Sequence, residues 1–283
     1  MSQSVFPNLE TAWCPGCGNH NILSALKEAL IVLDKKPYEV LVVSGIGQAG
    51  KLPQYITTNG FCGLHGRALP PAVAAKIANK NLTVIVNSGD GDSYGEGGNH
   101  LIHTIRRNVD ITHFVHDNQI YGLTKGQASP TSDIGHVTDV QPNGSNNMPL
   151  NPMLLAIVLG CGFVARAFSG NQEHLKAVMV EGIRHKGYAL IDILQPCVSF
   201  NKVNTYQWYN DRVYKLGDDY EPENKLKAIE KAMEWGEKIP IGILYREEKP
   251  DFHAKIDFLM NGSPLVDKVI DMEKIKEFMK DFR

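Results

Sequence analysis

Asn87 to Gln127 read NSGDGDSYGEGGNHLIHTIRRNVDITHFVHDNQIYGLTKGQ. The stretch opens at the end of an apolar run, LTVIVNSG from Leu82, which predicts a buried strand. That strand delivers Gly89-Asp90-Gly91 to its carboxyl end, where glycines let the backbone bend and approach a ligand closely. A helix is expected from about Gly97, with free N–H groups at its start suited to a phosphate. The next strand, ITHFVHD, ends at Asp117-Asn118, on the same edge as the first if the two pair in parallel. Asp90 and Asn118 then offer two side-chain oxygens, and the turn after Asn118 offers a backbone carbonyl, that of Ile120. Two side-chain oxygens, one carbonyl and phosphate oxygens make an octahedral shell for Mg²⁺. A pair of glycine-rich βα turns serving bend geometry alone would need no such acid and amide at matching strand ends.

The surrounding sequence repeats the alternation. Ile22, Leu23, Leu26, Leu30 and Leu33 fall at helical spacing, predicting a helix over about Asn19 to Asp34. EVLVVSG reads as a buried strand ending at Gly45. RALPPAVAAKIANK reads as a helix whose Pro70 and Pro71 are tolerable only in its first turn. NPMLLAIVLG and NQEHLKAVMVEGIRHKG are expected helices flanking the strand FVARAF, and YALIDIL is expected as the last core strand. Strands that are apolar throughout and alternate with helices indicate an α/β fold, a mostly parallel sheet covered by helices on both faces. Ligands in such sheets sit outside the carboxyl ends of the strands. The segment 129–148 is polar and rich in Gly, Pro, Asn and Ser, long enough to be an active-site or partner loop. From about Phe200 the pattern weakens before a charged helix near Leu226 to Trp235. Residues 1–200 are therefore assigned to the α/β domain, and 201–283 to a C-terminal extension packing on that domain or on a partner.

The chain has 283 residues, 43% of them hydrophobic, and a formal net charge of −2. Such a balance offers no basic face for nucleic acid, and no apolar run approaches the ~18 residues that span a bilayer. Met1 to Trp13 lacks the charged-then-apolar pattern of a signal peptide. A soluble cytoplasmic protein is expected. Of five cysteines, two form Cys14-Pro-Gly-Cys17, a tight turn with two thiolates facing one point. In a cytosolic chain that favours an iron–sulfur cluster or Zn²⁺ over disulfides.

A GDG followed after one helix and one strand by an Asn is the thiamine diphosphate motif. Together with HGRALP, GGNH, RRN, DNQIYGLTKGQASPTS and QPC, it makes the chain, from about Trp13 to Tyr209, resemble the β subunit of 2-oxoacid:ferredoxin oxidoreductases. The resemblance implies Mg²⁺–thiamine diphosphate and oxidative decarboxylation of a 2-oxoacid. It further implies capture of the acyl group by coenzyme A and electron export to ferredoxin through a [4Fe–4S] cluster. It also implies a larger α subunit, because the glutamate that meets the aminopyrimidine ring comes from another subunit in this family. By position, Asp90, Asn118 and the Ile120 carbonyl hold Mg²⁺, and Gly89, Gly91 and Asp92 shape the diphosphate site. His65 and Arg67, in GLHGRA, lie near the cofactor, as pairing groups for phosphate or donors to the reacting centre. The loop Ser44 to Lys51, with Gly47 and Gln48, lies along the cofactor, as do Gly122 and Leu123.

By the same resemblance Cys14, Cys17 and Cys197 are cluster ligands, but Gln48 stands where the family's fourth cysteine is expected. A glutamine amide is a poor ligand for a soft site. Three outcomes are open: Cys62 swings in as a substitute, the cluster keeps three protein thiolates, or no cluster is present. Cys161, after an apolar helix, reads as core. Lys51 and Lys125 fall in loops facing the cofactor and would suit the distal carboxylate of 2-oxoglutarate, whereas Leu123 would suit an apolar 2-oxoacid; 2-oxoglutarate or a broad range is favoured. The alternatives are a non-oxidative thiamine diphosphate decarboxylase or carboligase, and a zinc-stapled binding module without catalysis.

Overall fold

The computed structural model describes residues 5–282, so part of the Met1–Trp13 stretch lies outside the described residues. The apolar runs become β1 (Val40–Ser44), β3 (Thr83–Gly89), β4 (Ile111–Asp117), β7 (Phe163–Phe168) and β8 (Tyr188–Leu194). Added to these are β2 (Asn59–Cys62), the short ribbon strands β5 (Ile120–Tyr121) and β6 (Gln127–Ala128), β9 (Val213–Lys215) and β10 (Ile239–Arg246). An eight-stranded sheet takes the order β2-β1-β3-β4-β8-β7-β10-β9. Strands β2 through β7 in that order run parallel, and β10 turns antiparallel against β7.

Side chains alternate across the sheet as strand geometry requires. Ile85 and Phe114 face one core, with Ile22, Leu26 and Leu30 of α1 (Gly18–Val32) and Leu175 and Met179 of α5 (Gln172–Arg184). Val84, Val86 and Val115 face the other, with Leu69 and Ala72 of α2 (Leu69–Ala78) and Leu101 and Ile105 of α3 (Gly98–Arg107). Met153 and Ala156 of α4 (Pro152–Val158) join that second core. So do Ala228 and Ala232 of a later helix (Lys225–Met233). Pro70 and Pro71 sit in the first turn of α2, where a missing N–H costs no bond. Asn108 closes α3 in the left-handed region, at φ 54°. Its side chain accepts from the Tyr188 N–H at 3.0 Å and donates to the Pro250 carbonyl at 3.1 Å, which ties α3 to β8.

Two elements depart from expectation. The first is β10, a buried strand inside the sheet that follows YALIDIL, the run read as the last core strand. Pro240 and Gly242 interrupt its apolar run and hide it, since both are breakers in a central strand. Gly242 stands at φ 138°, and the register shifts between Ile243 and Tyr245. The second is a π-helical turn over Gly91–Glu96, before α3. The backbone therefore starts winding immediately after Asp90, and Gly91 and Asp92, not Gly97, border the sheet edge. Such turns are rare and cluster at functional sites.

Phe114 is fully buried in the central strand β4. Phe114→Ala should cost about 3–5 kcal/mol of stability, measured by denaturant unfolding at constant m-value. A loss below about 1 kcal/mol would mean the β3–β4 pair is not the centre of the core.

Candidate active site

Because β1, β3 and β4 are neighbours and parallel, their carboxyl ends open on one edge. The loops leaving them enclose a cleft. It is lined by Gly47, Gln48, His65, Gly89, Asp90, Gly91, Asp92, Asn118, Ile120, Gly122 and Leu123, along with Ile46, Ala49, Tyr121 and Thr124. All the cofactor-contacting residues expected from the sequence thus meet in one place. Arg67, Lys51 and Lys125 do not line it. Arg67 and Lys125 are exposed, Lys125 at φ 83°, and Lys51 is half-buried in a 3-10 turn over Ala49–Tyr55.

Asp90 is buried, and its Oδ2 accepts from the Ser129 hydroxyl at 2.5 Å and the Thr131 hydroxyl at 2.8 Å. The Thr131 Oγ1 also lies 2.8 Å from Asp117 Oδ1. Burial pushes the Asp90 carboxyl up from its usual range. Asp117 is raised well above it by burial and by the Asp192 and Asp90 charges. Burial lifts Asp192 to about 6, with the Arg166 guanidinium pulling the other way. A desolvated carboxylate at a cleft, with two further buried carboxylates behind it, is what a divalent cation would relieve. The Asn118 amide is fixed by its protein contacts with an oxygen to spare for such a cation. Its Nδ2 donates to Gln195 at 3.0 Å and its Oδ1 accepts from the Ile120 N–H at 3.1 Å, leaving a second lone pair on that oxygen. Gln119 between them holds φ 58°, the bend that turns the chain back on itself. These residues therefore fit Mg²⁺. The diphosphate also fits: a Cβ added at Gly47, Gly89 or Gly122 would meet nothing nearer than 4.0 Å, so backbone at these points is open to a ligand.

Asp92, which lines the cleft, also binds groups of the protein itself. Its Oδ1 accepts from the backbone N–H of Ile46 at 2.9 Å and of Gly66 at 2.8 Å, and lies 2.9 Å from His65 Nδ1. One buried carboxylate thus fastens the β1 loop, the GLHGRA turn and the imidazole together. Gly45 and Gly66 are glycines because a Cβ there would fall 1.9 Å from Asp92 Oδ2 and 2.4 Å from the Glu96 backbone. Gly91 serves packing: its Cβ would stand 2.2 Å from the Tyr121 ring. The Tyr121 hydroxyl reaches Glu96 at 3.3 Å, and burial followed by the Glu96 charge pushes it up. Sequence reasoning assigns no role to Ser129, Thr131 or Tyr121. The one signal for the first two is a hydroxyl-rich SPTS just beyond the second strand.

Cys14, Cys17 and Cys197 line a recess next to the cleft, and Gln48, Asn118 and Gly122 line both. Cys17 N donates to Cys14 O at 3.0 Å, with Pro15 and Gly16 (φ 79°) in the pattern of a type II turn. Burial pushes the Cys17 thiol up to about 11, helped by the nearby Cys197 and Cys14. No three His, Cys, Asp or Glu side chains among the described residues are drawn together around a point that could hold a single metal ion. Three soft donors on one recess suit a cluster at three corners, and the Gln48 amide does not suit the fourth. Cys62 is not there. It sits exposed on edge strand β2 beside Ser44, with its Sγ 3.5 Å from the Gly45 carbonyl. Cys161 is buried in the second core.

Comparison with known proteins agrees with this geometry. Residues 44–193 match the family model of the thiamine pyrophosphate enzyme C-terminal TPP binding domain. Residues 197–261 match the family model for the C-terminal part of the pyruvate ferredoxin oxidoreductase beta subunit. A 2-oxoacid:ferredoxin oxidoreductase subunit beta of Saccharolobus solfataricus is 48% identical over 249 residues, covering 83% of this chain and 82% of that one. A 2-oxoglutarate synthase subunit KorB of Methanocaldococcus jannaschii is 34% identical, covering 92% and 95%. A solved 2-oxoglutarate:ferredoxin oxidoreductase from Magnetococcus marinus, with 2-oxoglutarate, coenzyme A and succinyl-CoA bound, superposes with a TM-score of 0.89. It is 34% identical, over 95% of this chain and 92% of that one.

Asp92→Ala should free the loops it fastens. Amide exchange at Ile46 and Gly66 should speed up at least tenfold, about 1.4 kcal/mol, while the β3 amides stay protected. Unchanged exchange at both loops would show that Asp92 does not hold them.

Proposed function

The chain belongs to the family of 2-oxoacid:ferredoxin oxidoreductase β subunits, and from that premise we propose that its cleft holds Mg²⁺–thiamine diphosphate for oxidative decarboxylation of a 2-oxoacid. The acyl group passes to coenzyme A, and the electrons leave through an iron–sulfur cluster in the cysteine recess to ferredoxin. The observation that carries this reading is the meeting of buried Asp90 with Asn118 at adjacent strand ends, beside open glycine backbone. Asp90, Asn118 Oδ1 and the Ile120 carbonyl would hold the cation. Bound there, thiamine diphosphate would supply the nucleophilic carbon and the electron sink that decarboxylation of a 2-oxoacid needs.

The chain's own residues orient that chemistry. Ser129 and Thr131 hold the Asp90 carboxylate in one rotamer, so no reorganisation is needed when the cation arrives. His65 offers Nδ1 to Asp92, which leaves Nε2 as the nitrogen available in the cleft. Leu123 and Thr124 give the cleft a mixed wall. As the β subunit of a multi-subunit enzyme, the chain works with an α subunit. We assign to that subunit the carboxylate for the aminopyrimidine ring, since Glu96 is occupied by Tyr121 and His65. For the substrate we favour 2-oxoglutarate or a broad range, supported by the relatives named for 2-oxoglutarate. Lys125 would have to swing from its exposed position to meet a distal carboxylate. Residues 201–283 extend the same domain, a reading supported by β10 inside the sheet. No helix among the described residues is long and apolar enough to cross a membrane, and we place the enzyme in the cytoplasm on its cysteine usage.

Asp90→Ala should weaken binding of thiamine diphosphate with Mg²⁺ at least tenfold, about 1.4 kcal/mol, in isothermal titration; unchanged affinity in a folded variant would remove Asp90 from the metal site. The chain alone should turn over no 2-oxoacid, and co-expression with the α subunit should restore activity. With the complex, Lys125→Ala should raise KM for 2-oxoglutarate about tenfold while leaving pyruvate unaffected, and an equal effect on both would exclude a distal-carboxylate role.

A further inference from the structure

The recess beside the cleft is lined by three cysteines and by the amides of Asn19, Gln48, Asn118 and Gln195, of which Gln48 stands at the position expected for a fourth thiolate. Cys14 and Cys17 share a turn, and Trp13 just before it donates its Nε1–H to the Gln48 carbonyl at 2.7 Å. The Lys51 N–H reaches the same carbonyl at 3.3 Å. On either side of Gln48, Ile46 is held by Asp92, and Asn87 Nδ2 donates to the Ala49 carbonyl at 3.4 Å. The cysteine turn and the β1 loop are thus locked together, with Gln48 on the wall that recess and cleft share. Among the described residues no hydrogen bond to the Gln48 side-chain amide is formed, so it is not committed elsewhere in the protein.

Cys62 is the other candidate for the fourth corner, and the topology removes it. It pairs with Ser44 on edge strand β2, where it is exposed, and its Sγ lies against the Gly45 carbonyl. To reach the recess it would have to displace the loop Gly45–Ala49, which Asp92, Trp13 and Asn87 all hold.

The thiol sulfurs also have hydrogen-bond donors. Ser199 Oγ donates to Cys14 Sγ at 3.1 Å, and Gln195 Nε2 donates to Cys17 Sγ at 3.5 Å. Donors to cluster sulfurs stabilise the more negative, reduced state and raise its potential.

We infer that this chain binds its cluster through three thiolates, Cys14, Cys17 and Cys197, with Gln48 opposite the fourth iron on the wall shared with the cofactor cleft, so that this iron is exchangeable. The inference rests on the proposed function, in that it takes a cluster to be present. The amide oxygen is too hard a donor to hold that iron as a thiolate would. A one-electron oxidant such as ferricyanide then takes one electron and releases the corner iron: [4Fe–4S]²⁺ gives [3Fe–4S]⁺, Fe²⁺ and the electron that reduces ferricyanide. Ferrous iron and a reductant reverse it.

The test uses the α/β complex purified without oxygen, with iron and acid-labile sulfide counted before and after ferricyanide and the cluster followed by electron paramagnetic resonance. The wild type should lose about one iron in four with sulfide unchanged, gain the signal of an oxidised three-iron cluster, and recover on addition of Fe²⁺ and dithionite. Gln48→Cys should keep all its iron and show no such signal. Gln48→Ala and Cys62→Ser should both behave like the wild type, which also controls for misfolding. Full retention of iron by the wild type, or loss of iron in Cys62→Ser before any oxidant, would overturn the three-thiolate assignment. A complex that binds Mg²⁺–thiamine diphosphate but contains no iron would overturn the cluster itself and leave the cofactor reading intact.

Discussion

The Asp92 carboxylate is the fastening on which the rest of the site depends. Its Oδ1 gathers two backbone N–H groups and one imidazole, from a loop after β1 and a turn before α2. Hydrogen bonds to a charged group are worth about 1.5–3 kcal/mol each, and this acceptor is desolvated, so loss of any one donor is felt by the others. Gly45 gives way to it, since a Cβ there would meet the carboxylate, and Gly66 has no room for a Cβ against the Glu96 backbone. The π-helical turn over Gly91–Glu96 is what brings Asp92 inward directly after Asp90 faces the cleft. Two acids two residues apart thereby take different surroundings, Asp90 among the Ser129 and Thr131 hydroxyls at the cleft and Asp92 among the loops it fastens.

The second constraint is electrostatic. Asp90, Asp117 and Asp192 are all pushed up by burial, and the Asp90 charge adds to the rise at the other two. Arg166 is the cation buried with them, and its Nε and Nη1 have no hydrogen-bond partner among the described residues. Such a cluster costs stability while it lacks a compensating charge. A divalent ion at Asp90 would offset that cost, and its binding would then reinforce folding. The hydroxyls of Ser129 and Thr131 hold the Asp90 carboxylate in place, a task for the SPTS stretch of the polar loop after β6.

The third is the wall shared by the cleft and the cysteine recess. Gln48, Asn118 and Gly122 border both. Asn118 donates to Gln195, whose own amide also reaches Cys17. Asn118 and Cys17 are therefore joined by two hydrogen bonds through the Gln195 amide. A group reduced in the cleft and an acceptor held in the recess would be separated by little more than these side chains, the arrangement that electron transfer out of a cofactor requires.

Much of this was determined by the sequence alone, because the signals are local. Period and length distinguish β3 and β4 from the helices around them, and strand ends carrying GDG and DN declare an oxygen-lined edge without knowledge of any contact. The CPGC turn likewise declares itself within four residues. What only the tertiary structure decided lies between residues distant along the chain. Asp92 meets Ile46 and Gly66 through strand order, not through spacing, so its role could not be read from GDGD. Cys62 stands three residues before His65 in sequence, yet β2 carries it to the sheet edge while Cys197 arrives from β8. Lys51 and Lys125 follow cleft-lining residues but turn away, Lys125 because the ribbon bends there at positive φ. The strand β10 was hidden because Pro240 and Gly242 break its local pattern, and only pairing with β7, far earlier in the chain, makes that stretch a strand. Local chemistry names the edge; parallel order and the loops that one buried carboxylate holds decide which side chains share it.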